Sequence, residues 1–125
     1  MKFNIQEELY KSNQFEGAAQ KFVDKFIEEA IYDFGQWQNG DGDYPSVYAE
    51  MWCEKTYLGG IDYEWDDHLT IDVNNISAAA AIAAALNSQG IADVSAFDKF
   101  IEDTYNERES YDRSLQETYD SLRWQ

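Results

Sequence analysis

A chain of 125 residues with 44% hydrophobic and 16% aromatic side chains can pack one domain spanning 1–125, which excludes disorder despite the high charge. Twenty-five Asp and Glu against nine Lys and Arg give a formal net charge of −16, which argues against direct binding to nucleic acid or an anionic membrane and favours basic partners. The lone Cys53 excludes an internal disulfide. With no signal-like or membrane-length apolar run, it leads us to expect a soluble, cytoplasmic protein.

Taken in chain order, Phe15, Ala18, Ala19, Phe22, Val23, Phe26, Ile27, Ala30, Ile31, Phe34 and Trp37 recur at three- and four-residue steps. That spacing predicts an amphipathic helix over about 14–37, with Asn13 and Glu16 as a capping box and Gly40 and Gly42 ending it. The following stretch, NGDGDYPSVYAE, places Asn39, Asp41, Asp43 and Glu50 at positions 1, 3, 5 and 12 of a calcium loop. Tyr44 stands where that loop needs a glycine, and Pro45 follows it, so we expect an acidic connector with no dedicated metal site.

Residues 45–58 carry two patterns. Val47, Tyr48, Met51 and Trp52 have helical spacing behind Pro45, whereas Tyr57-Leu58 running into Gly59-Gly60 suits a strand and tight turn; helix is the reading preferred. Over 61–73, Ile61, Tyr63, Trp65, Leu69, Ile71 and Val73 alternate with polar residues, which predicts antiparallel strands turning at Asp66-Asp67-His68. The alanine run at 78–85 predicts a buried helix stopped by Gly90. Ser95 and Asp98 form an S-x-x-D box opening a last helix, whose apolar face runs from Phe97 to Leu122 with a bend possible near 106–110. The fold class is α+β: a long amphipathic helix, a small antiparallel sheet, an alanine-rich helix and a long acidic C-terminal helix.

No set of residues makes a catalytic constellation. His68 stands alone among Asp62, Asp66 and Asp67, and Cys53 lies in an acidic setting that disfavours a thiolate. No phosphate-binding glycine loop and no cofactor motif is present, and the helix after the alanine run offers only Lys99 to meet phosphates, too little for a recognition helix. We therefore expect a binding protein rather than an enzyme.

The acids themselves are ordered. Residues 39–72 carry nine acids and only one Lys or Arg, Lys55, whereas 73–92 carry no charge. Asp62, Glu64, Asp66 and Asp72 are expected on one face of the hairpin, with Asp67 at its turn. On the last helix, Asp98, Glu102, Glu109, Asp112 and Asp120 fall within a sector of about 80° at 100° per residue. Arg108, Arg113 and Arg123 are placed to screen that helical row through i,i+4 pairs, so the hairpin row should dominate binding. Such rows imitate the charge track of a nucleic acid, about one charge per 1.7 Å of duplex axis.

Small size, strong acidity, many aromatics and the carboxylate rows of 62–72 and 98–120 resemble phage-encoded counter-defence proteins, among them the DNA-mimicking anti-restriction proteins and many anti-CRISPR proteins. The resemblance is one of composition and of these rows. It implies a stoichiometric inhibitor of a basic nucleic-acid-handling enzyme inside a bacterial host. The alternative class is that of immunity proteins and antitoxins, which cap a basic toxin; there the same carboxylates and the aromatics Tyr44, Tyr48 and Tyr63 would form a protein-specific patch.

Overall fold

The structure, a computed structural model, is described for residues 1–123. Eight elements follow in order: β1 Lys2–Asn4, α1 Glu7–Lys11, α2 Glu16–Gln38, β2 Ser46–Cys53, β3 Thr56–Glu64, β4 His68–Val73, α3 Ile76–Asn87 and α4 Val94–Arg123. The α+β class expected from the sequence is the one observed. A four-stranded sheet in the order β1-β2-β3-β4 packs one face against the helices; β1 joins β2 in parallel and the other pairs are antiparallel.

The long helix forms where its stripe predicts. Ala19, Phe22, Val23, Phe26 and Ala30 are fully buried along it, and Phe26 meets Tyr63 of β3 and Phe97 of α4. Its end follows from glycine chemistry: Gly40 takes φ +79, letting its own N–H reach Trp37 O and that of Asp41 reach Gln36 O. Its start differs from the expected capping box. Phe15 occupies the cap without a side-chain bond, while Asn13 adopts φ 60 and donates from Nδ2 to Ser77 Oγ at 2.8 Å.

The helix preferred over 45–58 is not formed. Ser46–Cys53 is a strand and Thr56 begins the next, because Val47, Ala49, Met51 and Cys53 alternate into the core. The period is two, and the helical spacing of Tyr48 and Trp52 reflects a second, outward face that also carries aromatics. The 39–50 stretch is thus a helix stop running into a strand, and Glu50 accepts Trp52 Nε1–H at 2.8 Å instead of facing Asp41 and Asp43 across a loop. The β3–β4 hairpin turns at Trp65–Asp66–Asp67, one residue earlier than the expected Asp66-Asp67-His68, and His68 instead opens β4.

Two helical details also depart from expectation. α3 buries only Ala78, Ile82, Ala85 and Leu86, leaving Ala80 and Ala84 exposed and Ile76 at 87% exposure, so it lies on the core rather than within it. Asp93, not Ser95, caps α4: its Oδ1 accepts from Ala96 N–H at 2.8 Å. α4 then runs as one uninterrupted helix of 30 residues. None of the helices described is long and apolar enough to cross a membrane.

Candidate functional site

The strand register builds the site. Asp62 sits between Tyr48 and Thr70, Gly60 between Glu50 and Asp72, and Glu64 between Ser46 and His68. Because residues directly opposite share a face, Ser46, Tyr48, Glu50, Asp62, Glu64, His68, Thr70 and Asp72 all point away from the helices. Asp62 and Asp72 are exposed, Glu50 and Glu64 half-buried, and no described element covers them. Strand neighbours two apart place carboxylates about 6.5–7 Å from one another along β3.

Aromatic side chains border this face on the β2 side. The Tyr48 and Tyr57 hydroxyls hydrogen-bond each other, which pushes the Tyr48 phenol up to about 12. Trp52 packs at a tilt against Tyr57 with ring centroids 5.3 Å apart, and Lys2 Nζ lies 4.6 Å over the Trp52 ring. Tyr44, exposed at the neighbouring loop, is held in its neutral form by a hydrogen bond to Glu64. Tyr63, counted among the exposed aromatics from the sequence, is instead fully buried. Tyr48 takes the exposed place expected of it, whereas Glu50, Trp52 and Tyr57 were missed as members of the face; the alternation of Val47, Ala49, Met51 and Cys53 was the signal for them.

His68 is the main cation of the hairpin row. Its Nε2 lies 3.1 Å from Asp62 Oδ2 and its Nδ1 2.5 Å from Asp67 Oδ2. The hydrogen bond to Asp67, then that to Asp62, raise its pKa above the ordinary 6.5. Glu64, Asp67 and His68 each offer one potential ligand atom within 4.8 Å of the others. With both ring nitrogens already engaged by carboxylates, the cluster reads as a charge clasp. Cys53 is buried, and that burial pushes its thiol up, away from nucleophilic chemistry.

The second row is arranged differently. Asp98 accepts Tyr63 O–H on Oδ1 at 2.6 Å and Asp66 N–H on Oδ2 at 3.0 Å. It therefore ties α4 to the hairpin tip and holds Asp66, at φ 56, in the left-handed conformation that turns the chain. Burial, then the bond to Asp98, push the Tyr63 phenol far up, so its hydroxyl remains a donor. Asp66 and Asp67 bring the hairpin row round to the start of α4, where Glu102 follows Asp98 by one turn. Glu109 and Asp112 lie further out and exposed. Arg108 does not screen this row: it forms a two-pronged pair with Glu28 of α2, at 3.0 and 2.7 Å. Arg113 makes no ion pair among the described residues, and the pairing expected of Arg123 lies outside the described side chains.

No protein-family model matches this chain, and neither the curated proteins nor the solved structures compared with it gave a match. The geometry alone carries the reading that follows. One consequence is already testable. Asp98→Ala should lower stability by roughly 1–3 kcal/mol, the cost of leaving the buried Tyr63 hydroxyl without its acceptor. Urea unfolding measures this, and the loss should shrink when Tyr63→Phe removes the donor as well.

Proposed function

We propose that the protein is a stoichiometric inhibitor that presents its acidic sheet face to a basic, nucleic-acid-binding enzyme of a bacterial defence system, a CRISPR effector or a restriction system, and so occupies the channel meant for nucleic acid. The observation carrying this reading is the uncovered face that joins Glu50, Asp62, Glu64 and Asp72 on rigid strands, with Lys2 and His68 its nearby cations. Carboxylates about 6.5–7 Å apart along a strand match roughly every second phosphate of a nucleic-acid strand that rises 3.4 Å per nucleotide. Unneutralised carboxylates held together repel one another, and a binding role is a reason to retain them. The activity proposed is binding, with no cofactor and no catalytic step, exercised in the host cytoplasm.

A second reading has its own support. Tyr48, Tyr57 and Trp52 beside the carboxylates suit recognition of one particular protein surface, as in an immunity protein or antitoxin on a basic toxin. Capture of the partner from host lysate, followed by competition with DNA or RNA, separates the two. A mimic is displaced by nucleic acid at the partner's channel. A partner with no affinity for nucleic acid would overturn mimicry and favour the toxin antagonist.

His68 supplies a direct check. Its imidazolium neutralises part of the row, and the raised pKa keeps that charge above pH 6.5. Its pairing therefore stabilises the hairpin fully below pH 6.5 and ceases to do so as pH rises through the raised value. Loss of the proton bares Asp62 and Asp67, so binding to a cationic partner should tighten a few-fold as pH rises through that raised pKa. His68→Asn should bind with a flat profile across the same rise. A slope that persists in the variant would place the titrating group elsewhere.

A further inference from the structure

β4 is the last strand of the sheet, and no strand pairs with its outer edge. Asn74 N–H bonds Leu58 O at 2.9 Å, one step beyond the paired residues Gly59 and Val73. Bonded pairs alternate along an antiparallel ladder, so Gly60 with Asp72, Asp62 with Thr70 and Glu64 with His68 exchange hydrogen bonds. The N–H and C=O groups of Leu69, Ile71 and Val73 therefore point to the free edge, where none of them bonds another described group. The opposite edge of the sheet is closed off, since β1 has three residues and the chain enters α1 at Glu7. β4 has none of the usual guards against an added strand: no proline, no lysine and no bulge along its six residues.

We propose that this edge accepts an extended segment of the basic partner as a fifth, antiparallel strand, in which Lys or Arg alternates with aliphatic residues. This rests on the reading of the adjoining sheet face as the surface for that partner, and adds how the partner's chain is held. Residues directly opposite share a face, so the two faces of β4 specify the alternation. On the inner face Leu69, Ile71 and Val73 are half-exposed, whereas Ile61 and Tyr63 beside them on β3 are 0% exposed. The apolar floor of the sheet thus runs out onto β4 uncovered, and an aliphatic residue opposite each of the three completes it. On the outer face Thr70 and Asp72 are exposed, and the stretch 61–73 carries Asp62, Glu64, Asp66, Asp67 and Asp72 with no Lys or Arg. Outward residues of the added strand are therefore cationic. A second copy is disfavoured on the same ground, because it brings an identical acidic hairpin to the edge and two chains of −16 repel. Antiparallel pairing is the direction chosen because its bonds run straight across and hold slightly better per residue.

The probe is the peptide Lys-Val-Lys-Val-Lys-Val-Lys, blocked at both ends, added to the full chain. In the free protein the Leu69, Ile71 and Val73 amides should exchange hydrogen quickly beside slow Thr70 and Asp72; bound peptide should slow those three about tenfold or more. Methylating the valine nitrogens removes the N–H groups that face β4 and should weaken binding about tenfold or more. Methylating lysine nitrogens instead, which face solvent in this register, should leave affinity within about threefold. Both modifications keep every charge in place, so they test the edge separately from the charged face. Absence of binding at millimolar peptide, tolerance of the methylated valines, or binding that leaves the three amides in fast exchange would each overturn the proposal. In the last case, weakening of the peptide by salt and by Asp62→Lys with Glu64→Lys would leave the face reading standing; binding indifferent to both would count against the face as well.

Discussion

Asp62→Lys combined with Glu64→Lys should weaken capture of a cationic partner about a hundredfold or more, roughly 3 kcal/mol, while the fold survives. Both side chains point away from the core, and each reversal replaces an attraction with a like-charge contact. Circular dichroism and urea unfolding establish that the variant is folded; titration of the captured partner at several salt concentrations measures the loss. The native interaction should weaken with salt, since exposed charges are screened beyond about 8 Å at physiological ionic strength. Glu102→Lys with Glu109→Lys should matter less. The reason is no longer the screening by arginines expected from spacing, because Arg108 is committed to Glu28; it is that Glu109 lies on the exposed C-terminal half of α4, beyond the hairpin tip held by Asp98. Salt-insensitive binding that survives both pairs of reversals would end the mimic reading and leave an apolar protein–protein contact.

Gly59→Ala should be the most disruptive small change in the chain, costing roughly 2–5 kcal/mol. Gly59 adopts φ +117, and a methyl there would lie 2.1 Å from Asp72 O and 2.7 Å from Val73 Cα. Both contacts are with backbone, so no side chain can swing aside. Relief requires β4 to move away from β3, which separates Asp72 from the Asp62–Glu64 strand. Stability and partner binding should therefore fall together, in contrast to the reversal variant, in which only binding falls. Urea midpoints measured alongside affinity make the comparison; a Gly59→Ala protein with native stability would show that the β3–β4 pairing tolerates the shift.

How much of this was legible in the sequence depends on how local each cause is. The α2 stripe could be read because its period persists over 23 residues, and the β3–β4 alternation because its outward positions are charged. β2 has the same alternation inward, but Tyr48 and Trp52 make its outer face apolar too, and the two periods cannot be told apart without knowing what the sheet covers. β1 is three residues long and is specified by its pairing with residues 50–52, a contact that no window around Lys2 contains. Asp62, Glu64 and Asp72 share one strand face as expected, whereas Asp66, expected beside them, lies in the turn with its N–H bonded to Asp98. Asp98, expected in the helical row, also ties α4 to the hairpin, a role that spacing on the helix does not show because its donors, Tyr63 and Asp66, are 35 and 32 residues distant. The choice of Asp93 over Ser95 as helix cap shows the same limit on a smaller scale, since each residue could cap an isolated peptide.

The uncharged stretch 73–92 folds largely into α3, on the helical side of the sheet, while Glu50, Asp62, Glu64 and Asp72 face the opposite way. That leaves the α3 flank an uncharged patch on a molecule that is acidic elsewhere, α4 included. Uneven charge turns a diffusing protein before contact, so approach to a cationic cleft with the α3 flank forward is the orientation disfavoured. Association rates for oriented, charge-driven encounters can exceed the ordinary 10⁵–10⁶ M⁻¹s⁻¹ by about a hundredfold at low salt. The blank flank of α3 therefore acts on the speed of an encounter in which it makes no contact.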